Sequence, residues 1–197
     1  MYISCKRVWE AKAPFELCVE IANDWTHFVH LHRKSHKSYR LLYRAPGREI
    51  FHYQARILYP FPLFTDYIVM RNEVPERHGH EQIYLHVKSG RVTFQRSTTM
   101  RDGDKTQVIG EYIFDVPSYW RPFSGIFFWI FKYRMRKVMW EDNEQIVERM
   151  RSGIRDNPTC APSVPTTFDL FEDLKLRIPK ADVHYEDHVY EDLTART

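Results

Sequence analysis

Four histidines lie within ten residues near the start of this 197-residue chain, at His27, His30, His32 and His36. Much later, a single aspartate, Asp142, occurs in a segment that is otherwise rich in aromatic and aliphatic residues. Two imidazoles and one carboxylate form a facial set that holds ferrous iron and leaves coordination positions open for oxygen and substrate. These residue types indicate a mononuclear metal site, provided that the fold brings the two segments together.

The surroundings of Asp142 follow from helical periodicity. Between Phe131 and Met150, apolar side chains recur at helical spacing and form one stripe, and Asp142 lies inside it. An ionised carboxylate on a buried face is costly unless it meets a cation or several donors, so Asp142 is expected to have a partner. The alternative is that the helix nears its polar end here and the carboxylate reaches solvent. Arg149, on the same face, favours that alternative.

Helix geometry alone does not select which histidines bind a metal. His27 and His32 are about 140° apart on a regular helix, so His27 and His30 are better placed unless the turn is distorted. Asp24 lies one turn before His27 and could fix the tautomer of that ring through a hydrogen bond. The alternative is a set of partly exposed histidines on an amphipathic helix.

The elements that would position these residues can be predicted from hydrophobic patterning. A strand over 2–12 precedes a short helix over 14–22, and the histidine-rich run 24–36 is predicted as a second helical piece. Six antiparallel strands follow, separated by turns with Gly or Pro, at 38–44, 49–59, 64–74, 80–88, 91–99 and 107–116. A long helix over 119–152, bent near Gly125, completes the pattern.

This order predicts an α+β domain in which a curved antiparallel sheet wraps around a long C-terminal helix and leaves a cavity between them. We place the catalytic or ligand-binding domain at residues 1–153. Residues 154–197 are predicted to be an acidic, proline-containing tail that is extended or docks on a partner.

The element order over residues 1–152 resembles the helix-grip proteins, which include START lipid carriers, Bet v 1-like proteins, polyketide cyclases and the catalytic domains of Rieske-type oxygenases. Within that group, the spacing Asp24-x2-His27-x4-His32 is similar to the iron motif of Rieske-type aromatic-ring-hydroxylating oxygenases. Their third ligand is an aspartate on the final helix, where this chain has Asp142. The resemblance implies that His27, His32 and Asp142 bind the iron and that Asp24 bridges to it.

The resemblance further implies a non-haem iron oxygenase or oxidase, an enzyme that uses Fe(2+) and O2 on an apolar or aromatic small molecule. The iron–sulfur cluster domain of those enzymes has no counterpart here, so electrons would come from a separate donor protein, a small reductant or the substrate. Zinc and a two-metal site remain open alternatives. A different class of function is a metal-free carrier of hydrophobic ligands or a polyketide cyclase-like protein. A third is an interaction module that acts through the tail.

The amino-acid composition limits the expected location of the protein and the classes of partner that it could bind. Three scattered cysteines favour reduced thiols and a cytoplasmic location, and we expect no nucleic-acid partner and no transmembrane segment. The basic residues of the long helix are interpreted as a solvated face that could also meet anionic lipid or an acidic electron donor: Arg121, Lys132, Arg134, Arg136 and Lys137. Eight aromatic residues are interpreted as core or as the lining of an apolar pocket: Trp25, Phe28, Phe51, Tyr53, Phe64, Tyr67, Phe94 and Phe114.

Overall fold

The structure is a computed structural model. It describes residues 1–11, 13–23, 36–56, 63–103, 105–152 and 178–191, with side chains described up to residue 142 in the long helix and up to residue 189 in the last strand. Everything below concerns these residues.

Eight strands form one sheet in the described part of the chain. Their bounds are β1 Tyr2–Ala11, β2 His36–Ala45, β3 Arg48–Arg56, β4 Phe64–Val74, β5 Gly79–His86, β6 Val92–Asp102, β7 Lys105–Asp115 and β8 Val183–Glu191. The order across the sheet is β2-β3-β4-β5-β6-β7-β1-β8. Consecutive strands from β2 to β7 pair antiparallel, and β1 also pairs antiparallel with β7. The last strand, β8, is parallel to β1.

Two α-helices occur in the described residues, α1 at Phe15–Asn23 and α2 at Ser124–Ser152. Helix α1 begins just after Ala13, whose carbonyl accepts a hydrogen bond of 2.8 Å from the buried hydroxyl of Thr106. A 3-10 turn at Ser118–Phe123 contains Pro122 and leads into α2. The predicted bend near Gly125 is therefore a change from 3-10 to α geometry, because Pro122 supplies no N–H for the helical ladder.

The inner face of the sheet packs against α2. Near the start of α2, Phe131 packs with Ile3, Cys5 and Tyr112, and farther along Met139 packs with Trp9. Because side chains alternate along a strand, the intervening residues form a second cluster on the outer face. That cluster is built from Ile50, Met70, Ile83 and Phe94.

Most predicted elements agree with the structure to within a few residues, and one prediction needs correction. His36 was placed in the second helical piece but begins strand β2. Phe94, interpreted as core or as pocket lining, is a buried core residue on the outer face of the sheet. Within the predicted tail, Val183–Glu191 form a strand of the main sheet, while the division of the chain at residue 153 stays a prediction.

Candidate functional site

Tyrosine and glutamine side chains gather on the inner face of the sheet beneath α2. Tyr53 on β3 is paired with Tyr67 on β4, and Gln82 on β5 is paired with Gln95 on β6. The Tyr84 ring, two residues after Gln82 on the same face, has its centroid 6.0 Å from that of Tyr53. We call these five residues the interior polar cluster.

The Tyr84 hydroxyl lies between the two glutamine side chains. It donates to Oε1 of Gln95 at 2.6 Å and is also in hydrogen-bond contact with the amide of Gln82. A phenol has a single proton, so it can donate to only one of these amides, and the other must bind it through its NH2 group. Gln82 is 2% exposed, and a buried amide without such a partner would be costly. This arrangement fixes the direction of the phenol group.

The phenols of this interior are neutral at physiological pH. Burial raises the pKa of Tyr53, Tyr84 and Tyr112 above the ordinary value of 10. A neutral phenol can donate a hydrogen bond to a carbonyl oxygen, or a proton to a developing oxyanion, but it is a poor base. The interior therefore offers proton donors.

Helix α2 contributes a positive charge to this interior. The positive charge of Arg134 partly offsets the effect of burial on the pKa of the Tyr53 phenol. Its charge also acts on Tyr84 and Tyr112. Arg134 was interpreted from the sequence as part of a solvated basic face, and that interpretation is wrong for this residue. The side chain is long enough to reach under the helix to the tyrosines of the sheet.

A second buried arginine ties α1 to the sheet. Arg71 on β4 is 1% exposed, and its Nη2 donates to the Ala22 carbonyl at 2.8 Å and lies 3.0 Å from Nδ1 of His80. Burial lowers the pKa of Arg71 to about 9, against the opposing influence of Glu49, so the guanidinium remains charged at neutral pH. The carbonyl that it holds lies in the last turn of α1. Arg71 thus fixes the point from which the histidine-rich run departs.

A small cavity adjoins the interior polar cluster, with a volume of about 20 Å³. Its lining is largely aromatic and polar and comprises His36, Ser38, Tyr39, Phe51, Tyr53, Gln82 and Tyr84. This volume is close to that of one water molecule. A larger ligand therefore enters here only when lining side chains move.

Asp142 is the one predicted metal ligand that lies among the described residues. It is half-buried on α2, and its negative charge contributes to the raised pKa of Tyr112, which places the carboxylate near the inner face of the sheet. Its neighbour Glu141 is 2% exposed. The buried acid of this turn is therefore Glu141, and the role of Asp142 as a metal ligand stays a prediction.

The other predicted site residues, Asp24, His27 and His32, lie outside the described residues. Within the described ranges, no group of three or more His, Cys, Asp or Glu side chains is arranged to hold a metal ion. The ligand set of His27, His32 and Asp142 stays a prediction, and so does the identity of the metal. Elemental analysis of protein purified without added metal tests it. Near-stoichiometric metal that is lost in Asp142→Ala supports the set, and metal-free protein rules it out.

Solved structures of known proteins share this arrangement of sheet and helix. No family model matches the chain, and no curated protein matches it. A solved structure from Thermus thermophilus superposes with a TM-score of 0.58 at 12% identity, over 75% of this chain and 98% of that one. The Zhui aromatase/cyclase from a Streptomyces species gives a TM-score of 0.60 at 12% identity, over 78% and 98%. The di-domain ARO/CYC StfQ from the steffimycin biosynthetic pathway gives 0.56 at 14% identity, over 74% and 45%.

This chain has the helix-grip fold. The predicted fold class, a curved antiparallel sheet around a long C-terminal helix, is confirmed, as is the coarse resemblance to START and Bet v 1-like proteins. The predicted activity, a non-haem iron oxygenase, is wrong. Two of the neighbours, Zhui and StfQ, are named as aromatase/cyclases, and the described residues contain no group of three or more side chains that could hold a metal ion. The motif spacing matched residue types and could not test whether those residues converge.

The sequence did not indicate that the following residues belong to the candidate site: Arg71, Gln82, Tyr84, Gln95 and Arg134. A signal was present in β5 and β6, where polar Gln82 and Gln95 alternate with apolar Ile83 and Phe94. Only the hairpin register shows that the two glutamines face each other. In the described residues, no helix is long and apolar enough to cross a membrane.

Proposed function

We propose that this chain binds an apolar or aromatic molecule with carbonyl or hydroxyl oxygens between the sheet and α2, and that it promotes cyclisation of that molecule as a polyketide cyclase-like protein. The observation that carries the proposal is the Tyr84 phenol, held between Gln82 and Gln95 beneath Arg134. Aromatic rings suit an apolar carbon skeleton, and the phenols and the guanidinium suit its oxygens. The aromatase/cyclases that share the fold support this class of ligand.

The proposed reaction is an intramolecular aldol condensation. A carbon next to one carbonyl loses a proton and attacks a second carbonyl carbon, which forms a carbon–carbon bond and an alkoxide. When the ligand binds, Tyr84 turns its single O–H from Gln95 to that oxygen and then transfers the proton to the alkoxide, while the NH2 groups of Gln82 and Gln95 donate to the phenol oxygen. Arg134 stabilises the enolate oxygen. Asp142, the half-buried carboxylate near Tyr112, is the proposed acceptor of the proton taken from carbon. The new hydroxyl and a proton from the neighbouring carbon then leave as water, which gives the unsaturated ring, and the proton taken up by Asp142 returns to Tyr84. This chemistry requires no metal.

Cyclisation can be tested with a linear poly-β-ketone analogue, by following the appearance of aromatic absorbance. A rate above background that falls in both Tyr84→Phe and Asp142→Asn supports the proposal. If the analogue binds but its rate of cyclisation does not fall in these two variants, the protein is a ligand carrier and the proposed reaction is wrong.

Replacing Tyr84 by phenylalanine is expected to weaken binding of emodin, a hydroxylated anthraquinone used as a probe, by about tenfold. The change removes the hydroxyl that lies between Gln82 and Gln95, and the loss of one buried hydrogen bond costs about 1–2 kcal/mol. Binding can be measured by fluorescence titration.

The matched control is Tyr119→Phe, which removes a hydroxyl from a side chain that is 72% exposed and remote from the interior. It should bind emodin like the wild-type protein. Equal affinity of Tyr84→Phe and Tyr119→Phe for the probe would contradict the placement of the ligand at the interior polar cluster.

A further inference from the structure

A group of large apolar side chains is exposed to solvent where the 3-10 turn passes into α2. Tyr119 is 72% exposed, Phe123 52%, Ile126 54% and Trp129 63%. These four make up half of the eight large hydrophobic residues that are exposed in the described part of the chain, and they lie within eleven consecutive positions. We call them the exposed ridge. Single exposed apolar residues need no explanation, but a concentrated group indicates an interaction surface.

The exposed ridge lies on the opposite side of α2 from the residues that fill the core. Phe127 and Phe131 pack against Phe114 on the sheet, with ring centroids 5.0 and 5.6 Å from it. The side chains of Ile126 and Trp129 point away from that contact, and the Trp129 ring stacks on Tyr133 at 6.2 Å. The apolar content of this helix therefore exceeds what packing against the sheet requires.

The charged residues of the segment that carries the exposed ridge are all basic. Residues 118–140 contain five Lys or Arg and no Asp or Glu. Two of the five are directed elsewhere, because Lys132 pairs with Asp187 at 3.0 Å and the charge of Arg134 acts on the buried Tyr53 phenol. Arg121 and Arg136 are exposed beside the ridge, and neither side chain forms an ion pair within the described residues. Lys137 lies over the Trp140 ring at 5.5 Å.

We infer that the exposed ridge docks on the surface of an anionic lipid bilayer. Tryptophan and tyrosine prefer the boundary between headgroups and acyl chains, because each has an apolar body and a polar tip. Phe123 and Ile126 add apolar area, and Arg121 and Arg136 can reach lipid phosphates. Because Phe127 and Phe131 pack the other face of α2 on the sheet, the helix docks by its exposed side.

Flotation of the full-length protein with vesicles tests this inference. Binding is expected to vesicles of phosphatidylcholine with about one third phosphatidylserine, to weaken with added salt, and to be lower with pure phosphatidylcholine. Trp129→Ala should reduce the bound fraction at least several-fold. Arg121→Gln combined with Arg136→Gln should reduce affinity by about tenfold or more and lower the salt dependence.

Matched controls remove similar groups from elsewhere on the surface. Met100→Ala removes an apolar side chain that is 48% exposed on β6, and Lys180→Gln removes an exposed charge. Both should bind vesicles like the wild-type protein, and circular dichroism should show that all variants are folded. The inference is overturned if folded wild-type protein does not bind anionic vesicles, or if Trp129→Ala binds as well as Met100→Ala. It is also overturned if sedimentation shows a dimer that Trp129→Ala dissociates, because the ridge would then be a contact between copies.

Discussion

Replacing Arg71 by methionine is expected to lower the free energy of unfolding by about 3–5 kcal/mol. The side chain is 1% exposed, and the change removes the hydrogen bond to the Ala22 carbonyl and the contact with His80. It also leaves Glu49, whose pKa burial already raises, without one of the two cations that stabilise its charge. Urea denaturation followed by tryptophan fluorescence measures the loss.

The control for Arg71 is an arginine in a surface ion pair. Arg96 lies 3.0 Å from Glu81 with 38% of its side chain exposed, and Arg96→Met should cost no more than about 1 kcal/mol. Adding Glu49→Gln to Arg71→Met should recover part of the stability, because it removes a buried charge that has lost one of its two cations and keeps only Arg44. Similar small losses in Arg71→Met and Arg96→Met would contradict a buried role for Arg71.

Replacing Gly79 by alanine is expected to cost about 3 kcal/mol of stability. A Cβ at this position would lie 2.0 Å from the carbonyl oxygen of Ser97 and 2.8 Å from its carbonyl carbon, so the backbones of β5 and β6 would have to separate. The added group meets backbone atoms, which cannot rotate away as a side chain would. Thermal unfolding monitored by circular dichroism measures the effect as a lower midpoint temperature.

The matched substitution is Gly125→Ala in the first turn of α2. Nothing lies within 4 Å of a Cβ at Gly125, so this change should be neutral or should stabilise the protein by up to about 1 kcal/mol. A Gly79→Ala protein as stable as Gly125→Ala would show that β5 and β6 are not as closely paired as described.

Local patterning predicted the strands and the long helix because each alternation or stripe is contained in a short segment. Strand β8 was missed for the same reason. Its alternation of Val183, Tyr185 and Val189 with polar residues is typical of a strand, but the many acids and nearby prolines suggested an extended tail. Its partner β1 lies at the other end of the chain, and no local signal could indicate that pairing.

The candidate site was less predictable than the fold because it depends on the register between strands and on how far side chains extend from the helix to the sheet. The helical stripe left open whether Asp142 faces the interior or reaches solvent, and its half-buried position does not decide between the two, whereas its neighbour Glu141 is the buried acid of this turn. The contact of Tyr84 with Gln95 depends on the β5–β6 hairpin, and the contact of Arg134 with Tyr53 depends on the distance between a helix and a sheet. The iron motif failed as a predictor of activity because spacing along the chain carries no information on convergence in space.

The parallel strand β8 also affects whether the newly synthesised chain aggregates. It covers β1 from Ile3 to Ala11, so the amides and carbonyls on that side of β1 are matched within the same molecule. The edge strand on the opposite side of the sheet, β2, has two irregularities in its pairing with β3, and these make it a poor template for pairing with another chain. Until β8 has been synthesised, β1 remains available to strands of other molecules. A chain truncated before β8 would therefore tend to aggregate even with β1 to β7 present.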